Sequence, residues 1–468
     1  MNLILATDSY KASHWLQYPP GTQFVSSYIE SRGGPFNEVV FFGLQPWLQD
    51  LVTLRERDII DAEEVFAAHG LPFNAAGWRD LLKRWDGKLP IEIQALKEGT
   101  VAPPGTPMVQ LRNTDPRFPW LTSYIETALV RAIWYPSTVA TISREAKKVI
   151  YRYLQETSDD PDAEILFKLH DFGARGVSSS ESATLGGMAH LVNFMGTDTV
   201  EALIGARRYY REPMAGFSIP AAEHSTITAW GEDQEVNAHA MMIDTFMNKE
   251  NGKSGMVASV SDSYNIYRTV ESIWCGALKD KVERYGERGG MVIVRPDSGD
   301  PINVTYGVVT RLMDGFGAKT NSKGYKVLPP YIRIIQGDGC TLESIGQMLE
   351  NFKKNGISAS NIAFGMGGGL LQKCDRDTLR FAMKANEITV NGETRDVWKA
   401  PNTDSTKVSK KGRQAVVYNS VTDTYEAVRE DCLGHRRNEM EMVYKDGLFF
   451  REQTFADVRL RAAIRINA

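Results

Sequence analysis

A glutamate–histidine pair, Glu223–His224, sits in the run PAAEHSTITAWG at 220–231, among Ala, Ser and Thr. Small neighbours leave room for a second group to approach the imidazole. A catalytic histidine oriented by an acid is one reading; a histidine satisfied by hydrogen bonds at a helix start is the other. More polar residues recur where short apolar runs end: Asp171 and Arg175, Asp262, Arg295 and Asp297, and Asp338, with Gly337, Gly339, Gly365 and Gly367, Gly368 and Gly369. Glycines ahead of the apolar helical start LLQK offer bare backbone N–H groups, the chemistry of a phosphate cradle, although such glycines also serve plain turns. The arginines suit bidentate phosphate contacts, and the carboxylates suit Mg²⁺ shared with a pyrophosphate. Phe172, between Asp171 and Gly173, and Tyr10, in the polar TDSYK, present two aromatic faces that could sandwich a planar ring. Lys407, Lys410, Lys411 and Arg413 crowd one short stretch, which is either a solvated loop or a cover over a polyphosphate. Ser178, Ser179 and Ser180 have no identifiable Ser–His–acid set to activate them, so they read as structural.

The elements that must position these groups change texture along the chain. FVSSYIE, EVVFFGL, PIEIQAL and PMVQLRN read as strands, and VAPPGTP between two of them as a turn or edge. A long helical region follows from about Trp120 to Gln155. From about Ile165, short apolar runs alternate with helix-like segments such as CTLESIGQMLENFKK. GMVASVSDSYNIY, GMVIVRPDSGDP, YIRIIQGDG and NIAFGMGGGLLQ follow one another at strand–helix spacing. Chemistry at successive strand ends is the pattern of an α/β barrel, with a doubly wound open sheet as the other candidate. After about Asn386 strand-like stretches return. The expected fold is therefore an α/β barrel with a discontinuous β-rich domain made from the two ends of the chain. The expected divisions are 1–155, a β-rich part plus the long helical region; 156–385, the barrel; and 386–468, the completion of the β-rich domain.

The 468 residues, 42% hydrophobic and 24% charged, suit a soluble globular protein of more than one domain. A net charge of −4 argues against a general grip on nucleic acid. No apolar run approaches the ~20 residues of a membrane span. Four cysteines without a CxxC pair, and no export signal, place the expected location in the cytoplasm. On these residues the chain reads as a barrel enzyme handling a phosphorylated substrate and a flat ring. A flavin-dependent oxidoreductase and a non-catalytic nucleotide sensor remain open.

Taken in order, LATDSYK, NTDP, WYPSTVATISRE, LHDFGARGVSS, HLVNFMGTDTV, PAAEHSTITAWG, VSDSYNIY, RPDSGDP, NSKGYKVLPP, IQGDG, AFGMGGGLLQK and SKKGR resemble the nicotinamide phosphoribosyltransferase family from Asn2 to about Arg413. The resemblance implies a phosphoribosyltransferase-type barrel, Mg²⁺, and a homodimer with shared active sites. It implies that nicotinamide attacks C1 of 5-phosphoribosyl-1-pyrophosphate, with ATP as a coupled co-substrate that phosphorylates His224. It makes Phe172 and Tyr10 the faces of the ring sandwich, Tyr10 reaching in from a second subunit. Asp198, in GTDTV, becomes the acid that accepts from the carboxamide, which would separate nicotinamide from nicotinate. Arg295 falls near the amide and ring, and Asp297 near the ring nitrogen and the metal, with Asp338 as a second metal candidate. Arg175, Gly337, Asp338, Gly339, Gly368 and Arg376 become ribose and phosphate contacts, and Lys384, Lys399, Lys407 and Arg32 the surrounding cations. Glu223 and Asp262 are the candidates to orient His224. Ala258 departs from the serine of vertebrate members, and the segment RGGPFNEVVF is shorter than theirs. Nicotinate phosphoribosyltransferase is the nearest alternative, and Asp198 speaks against it.

Overall fold

A computed structural model describes residues 2–51, 53–247, 255–404 and 407–464. They fall into two units. One gathers Met1–Thr141, Arg208–Glu212 and Cys374–Ala463; the other is built on Ile142–Arg207 and Pro213–Lys373. The divisions thus differ from those expected at 155/156 and 385/386. The helix Glu126–Thr157 continues unbroken across the first division, so no change of texture marks it. The strand Phe381–Val390 pairs along its length with Thr22–Ser31, with Tyr28 opposite Lys384, which assigns it to the N-terminal sheet.

The second unit is a barrel. Its parallel strands are β1 (Leu169–Asp171), β2 (Gly196–Thr197), β3 (Met256–Val260), β4 (Met291–Arg295), β5 (Ile332–Gln336) and β6 (Ile362–Met366). They hydrogen-bond in the order β2-β1-β6-β5-β4-β3. Both edges then bridge to one irregular segment: Gly196 of β2 pairs with Phe217, and Ala258 of β3 with Ala221. The Phe217 N–H donates to the Met195 carbonyl at 2.7 Å, and the Ala258 N–H to the Pro220 carbonyl at 2.9 Å. The circle closes with its members in chain order, as in an α/β barrel and unlike an open doubly wound sheet.

The barrel strands are strands because β-branched and aromatic residues bury themselves within a parallel sheet; Val292, Val294, Ile332, Ile334 and Phe364 are fully buried. The following helices carry the matching signals. Asp300 caps Pro301–Phe316, accepting from the Asn303 N–H at 2.9 Å, with Pro301 in the first turn. Leu342–Lys354 is capped by Thr341, buries Ile345, Met348, Leu349 and Phe352, and ends on Lys353 and Lys354, favourable for its dipole.

The first unit is centred on a seven-stranded antiparallel sheet. Its order is Glu393–Asp396, Phe381–Val390, Thr22–Ser31, Pro107–Asn113, Ile91–Ala95, Glu441–Lys445 and Leu448–Phe449. Strands from both ends of the chain interleave, which makes the β-rich unit discontinuous. Its core includes Ile29, Val109, Leu111 and Phe381, with Trp78 edge-on to Trp120 at 4.8 Å. Among the described residues no helix is long and apolar enough to cross a membrane.

Candidate active site

The C-terminal ends of the barrel strands carry most of the polar residues singled out above. β1 ends at Asp171, which is fully buried. Its Oδ1 accepts from the Gly173 N–H at 2.7 Å, which turns the chain sharply and places Phe172. The Phe172 N–H donates to the Met366 carbonyl of β6 at 3.0 Å. The ring then lies on Gly365: a Cβ there would stand 2.0 Å from Cε2, so only glycine admits the ring in this position. Arg175 follows on the exposed turn Ala174–Gly176, against Gly368, whose Cα lies 3.5 Å from where a Gly176 Cβ would be. Burial pushes the Asp171 carboxyl up to about 6, with nearby Asp198 adding to the rise.

Asp198 stands one residue beyond β2, and its N–H donates to the Asp171 carbonyl at 2.9 Å. The Ser218 hydroxyl donates to the Asp198 carboxylate. Ser218 belongs to the irregular segment that closes the barrel, and that segment runs on to His224, the first residue of the short helix His224–Thr228. Two backbone bonds to Ala258 hold it there, from the Ala222 N–H to the Ala258 carbonyl and from the Ala258 N–H to the Pro220 carbonyl, each at 2.9 Å.

His224 meets its acid across the barrel mouth. Its Nε2 lies 3.0 Å from Asp262 Oδ1; the imidazole is 46% exposed and the carboxylate side chain 3%. The other Asp262 oxygen accepts from the Asp297 N–H at 3.1 Å and from the Ser298 hydroxyl at 2.5 Å. Asp262 is therefore held from both sides, and of the two candidate acids it is the one that meets the imidazole. Glu223 differs from the expectation: its carboxylate accepts from the Ser225 hydroxyl, because as the residue before the helix it folds onto the first turn.

β4 ends at Arg295, whose guanidinium lies 3.6 Å from the Asp297 carboxylate and whose buried Nε has no hydrogen-bond partner among the described residues. Burial raises the Asp297 carboxyl; Arg295 and His224 pull it down, while Asp262 and Asp338 push it up. Those causes put Asp297, Arg295, His224, Asp262 and Asp338 in one electrostatic field. After β5, a Cβ on Gly337 would stand 2.7 Å from Asp297 Oδ1, 3.6 Å from Arg295 and 3.7 Å from Phe172, so this glycine sits where the ring platform and the charged cluster meet. Asp338 is exposed, and Gly339 takes the left-handed φ of +68° that favours glycine. Gly368 opens the single turn Gly368–Leu371 after β6.

The other residues expected to take part lie on the β-rich unit. Tyr10 is 58% exposed, with His14 edge-on at 5.1 Å. Lys384 is lowered first by burial and then by Arg32, Lys399 and Arg376, with Glu126 opposing. Four of the expected cations thus share one positive field that an anion would relieve. Lys407 pairs instead with Asp404 at 3.1 Å. Ser179 caps the helix Ser180–Leu191, which gives the serine run its structural use. Ser218 and Ser298 are additions to the residues singled out from the sequence, and Gly365 is the one of its glycines that beds the ring. Serines in RPDSGDP and GFSIP carry no distinctive spacing, and a GxGGG string does not say which glycine meets an aromatic ring.

Comparison with known proteins agrees with this geometry. The profile of the Nicotinate phosphoribosyltransferase (NAPRTase) family matches residues 167–443, and that of the Nicotinamide phosphoribosyltransferase N-terminal domain matches residues 2–93. A nicotinamide phosphoribosyltransferase of Xanthomonas campestris pv. campestris is 48% identical over 467 residues, covering 98% of each chain. One from Acinetobacter baylyi is 31% identical and covers 100% of this chain and 98% of its own. In fold, the chain is similar to the nicotinate-nucleotide pyrophosphorylase of Pyrococcus furiosus, with TM-score 0.61 at 15% identity over 98% of this chain and 95% of that one. The human nicotinic acid phosphoribosyltransferase gives TM-score 0.56 at 16% identity over 97% and 92%. The chain belongs to the nicotinate phosphoribosyltransferase (NAPRTase) family of phosphoribosyl-transferring enzymes.

Proposed function

We propose that this enzyme makes nicotinamide mononucleotide and pyrophosphate from nicotinamide and 5-phosphoribosyl-1-pyrophosphate, in cytoplasmic NAD salvage. The observation that carries the choice of substrate is Asp198, a carboxylate on the barrel rim beside the buried carboxyl of Asp171. Nicotinamide donates its NH₂ to such a group, whereas the carboxylate of nicotinate meets a like charge. The relatives named for the amide substrate support the same reading.

The reaction follows from the rim. The pyridine ring lies on Phe172, with Arg295 and Asp297 beside it. The ring nitrogen lone pair forms a bond to C1 of the ribose as the C1–O bond breaks, and the electron pair leaves with pyrophosphate. The chain's task is alignment and charge stabilisation. Arg175 and the glycines at 337, 339 and 368 hold the ribose and its phosphate. The cations Arg32, Arg376, Lys384 and Lys399, with Lys407 released from Asp404, surround the phosphates, and Tyr10 covers the second face of the ring. Tyr10 and several of these cations come from a second copy of the chain in a homodimer with shared sites.

Among the described residues no three His, Cys, Asp or Glu side chains converge on a metal position. Mg²⁺ needs only one or two carboxylates when phosphates and waters complete its shell, and the Asp297 charge, opposed by burial, Asp262 and Asp338, is one a cation would relieve. Asp297 and Asp338 would hold it, and its charge would offset that of the departing pyrophosphate.

ATP coupling rests on the His224–Asp262 pair. A carboxylate only accepts, so Nε2 carries the hydrogen and Nδ1 keeps its lone pair. Nδ1 forms a bond to the γ-phosphorus of ATP, and ADP leaves with the electrons of the broken P–O bond. Hydrolysis of the phosphohistidine returns the free imidazole.

The test of the substrate reading compares the natural enzyme with Asp198→Asn, offering nicotinamide and nicotinate in competition. Loss of preference for the amide, with folding intact, supports it; unchanged selectivity removes Asp198 from this role.

A further inference from the structure

Behind the His224–Asp262 pair lies an unusual helix. Thr269–Ala277 is a π-helix of nine residues, and the Leu278 N–H still bonds five residues back, to the Ile273 carbonyl at 2.8 Å. Helices of this type are rare, mostly single-turn, and frequent at functional sites. Five-residue spacing puts Thr269 and Trp274 on one face. Both are fully buried and both are hydrogen-bonded: Thr269 to Glu235 at 3.1 Å, and the Trp274 indole N–H to Ser261 Oγ at 3.1 Å. The neighbouring helix is shaped to receive this winding, since a Cβ on Gly315 would stand 2.3 Å from Cys275 Sγ.

Ser261 is the junction. Its hydroxyl accepts from Trp274 and donates to the Ser259 carbonyl at 2.9 Å; its N–H donates to the Arg295 carbonyl at 2.9 Å. The next residue is Asp262. Fixing residue 261 on three sides fixes the direction in which Asp262 leaves β3, and ties it to the end of β4.

We propose that Trp274 is a positioning residue for the phosphate-accepting histidine, acting through Ser261 to aim the Asp262 carboxylate at His224. The role in ATP coupling rests on the function proposed above; the role in orienting the imidazole does not.

The experiment uses the full chain with Trp274→Phe, which keeps a ring and removes the N–H. Nitrogen NMR of labelled histidines, assigned with His224→Gln, reads the His224 tautomer. The natural enzyme is expected to show the Nε2–H form, and Trp274→Phe a mixture of both tautomers. The ATP-dependent gain in product is expected to fall roughly three- to tenfold, the scale of one lost hydrogen bond, with the KM for nicotinamide unchanged. Ser261→Ala should reproduce both effects, and the double variant should add little to either single one. An unaltered tautomer in Trp274→Phe overturns the proposal. So does a parallel loss of all activities together with the melting temperature, which would make the tryptophan merely structural. Should His224 prove not to be phosphorylated, the tautomer result still decides the positioning role.

Discussion

Placing a methyl group on β6 tests the ring platform at one position. Gly365 lies in β6 opposite His170 of β1, and its neighbour Phe364 pairs with Gln336 of β5 and Leu169 of β1, so its backbone is held. In Gly365→Ala the new Cβ would stand 2.0 Å from Phe172 Cε2 and 2.1 Å from Cδ2. The ring must retreat by about 1.4 Å, the gap between 2.0 Å and ordinary contact beginning at 3.4 Å. Phe172 is only partly buried, so the ring gives way rather than the strand. The retreat is away from the sheet, toward the space assigned to the pyridine ring. Misplacement on this scale costs about ten- to a hundredfold in a positioned reaction, while overpacking costs about 1–3 kcal/mol where nothing can move. The expected result is therefore a KM for nicotinamide raised at least about tenfold, with the KM for phosphoribosyl pyrophosphate little changed and stability reduced by less than about 1 kcal/mol. Initial rates against nicotinamide, with urea unfolding of the same preparation, provide the assay. A correctly folded Gly365→Ala with an unchanged KM for nicotinamide would refute the assignment of Phe172 as the ring platform.

Two further expectations concern charge. His224→Ala should retain basal synthesis of the mononucleotide and lose ATP stimulation; full stimulation in this variant would remove the phosphohistidine from the account. Asp171 makes stability fall as pH rises: its carboxyl goes from 3.8 unfolded to about 6 folded, so between those values the folded state binds the proton more tightly. The cost on crossing that window is of the order of 3 kcal/mol. Asp171→Asn keeps an acceptor for the Gly173 N–H and should gain up to roughly that amount over the natural protein above pH 6, and nothing well below the unfolded value of 3.8. Urea unfolding across this range checks it, and parallel stability curves for the two proteins would contradict the burial argument.

The barrel was legible because its strands are short apolar runs, such as Met291–Arg295 and Ile332–Gln336, ending in polar loops at regular spacing. The strand that closes it was not. Phe217–Ala221 is held by two bridges and has no alternating pattern to betray it. EVVFFGL reads as one strand, yet only Val39–Val40 pairs, because Gly43 at φ 107° turns the chain into the helix Leu44–Gln49. The long helix was expected from about Trp120, and it runs from Glu126 to Thr157 after the short turn Leu121–Tyr124. Types and order pointed to His224, Asp262, Arg295 and Asp297, but only the fold decides that Asp262, 38 residues away, faces the imidazole while adjacent Glu223 bonds Ser225. The π-helix was hidden for a similar reason. A buried stretch with Val270, Ile273 and Trp274 fits more than one helical period, and the winding is set by what it packs against.

The proposed reaction is open to direct test. One assay decides it most directly: the natural enzyme with phosphoribosyl pyrophosphate and Mg²⁺, offered nicotinamide or nicotinate, with and without ATP, and the product identified by mass. Nicotinamide mononucleotide is expected to form preferentially from the amide, with more product when ATP is present. Product from nicotinate alone would contradict the reading of Asp198, and no product from either base would contradict the proposed reaction.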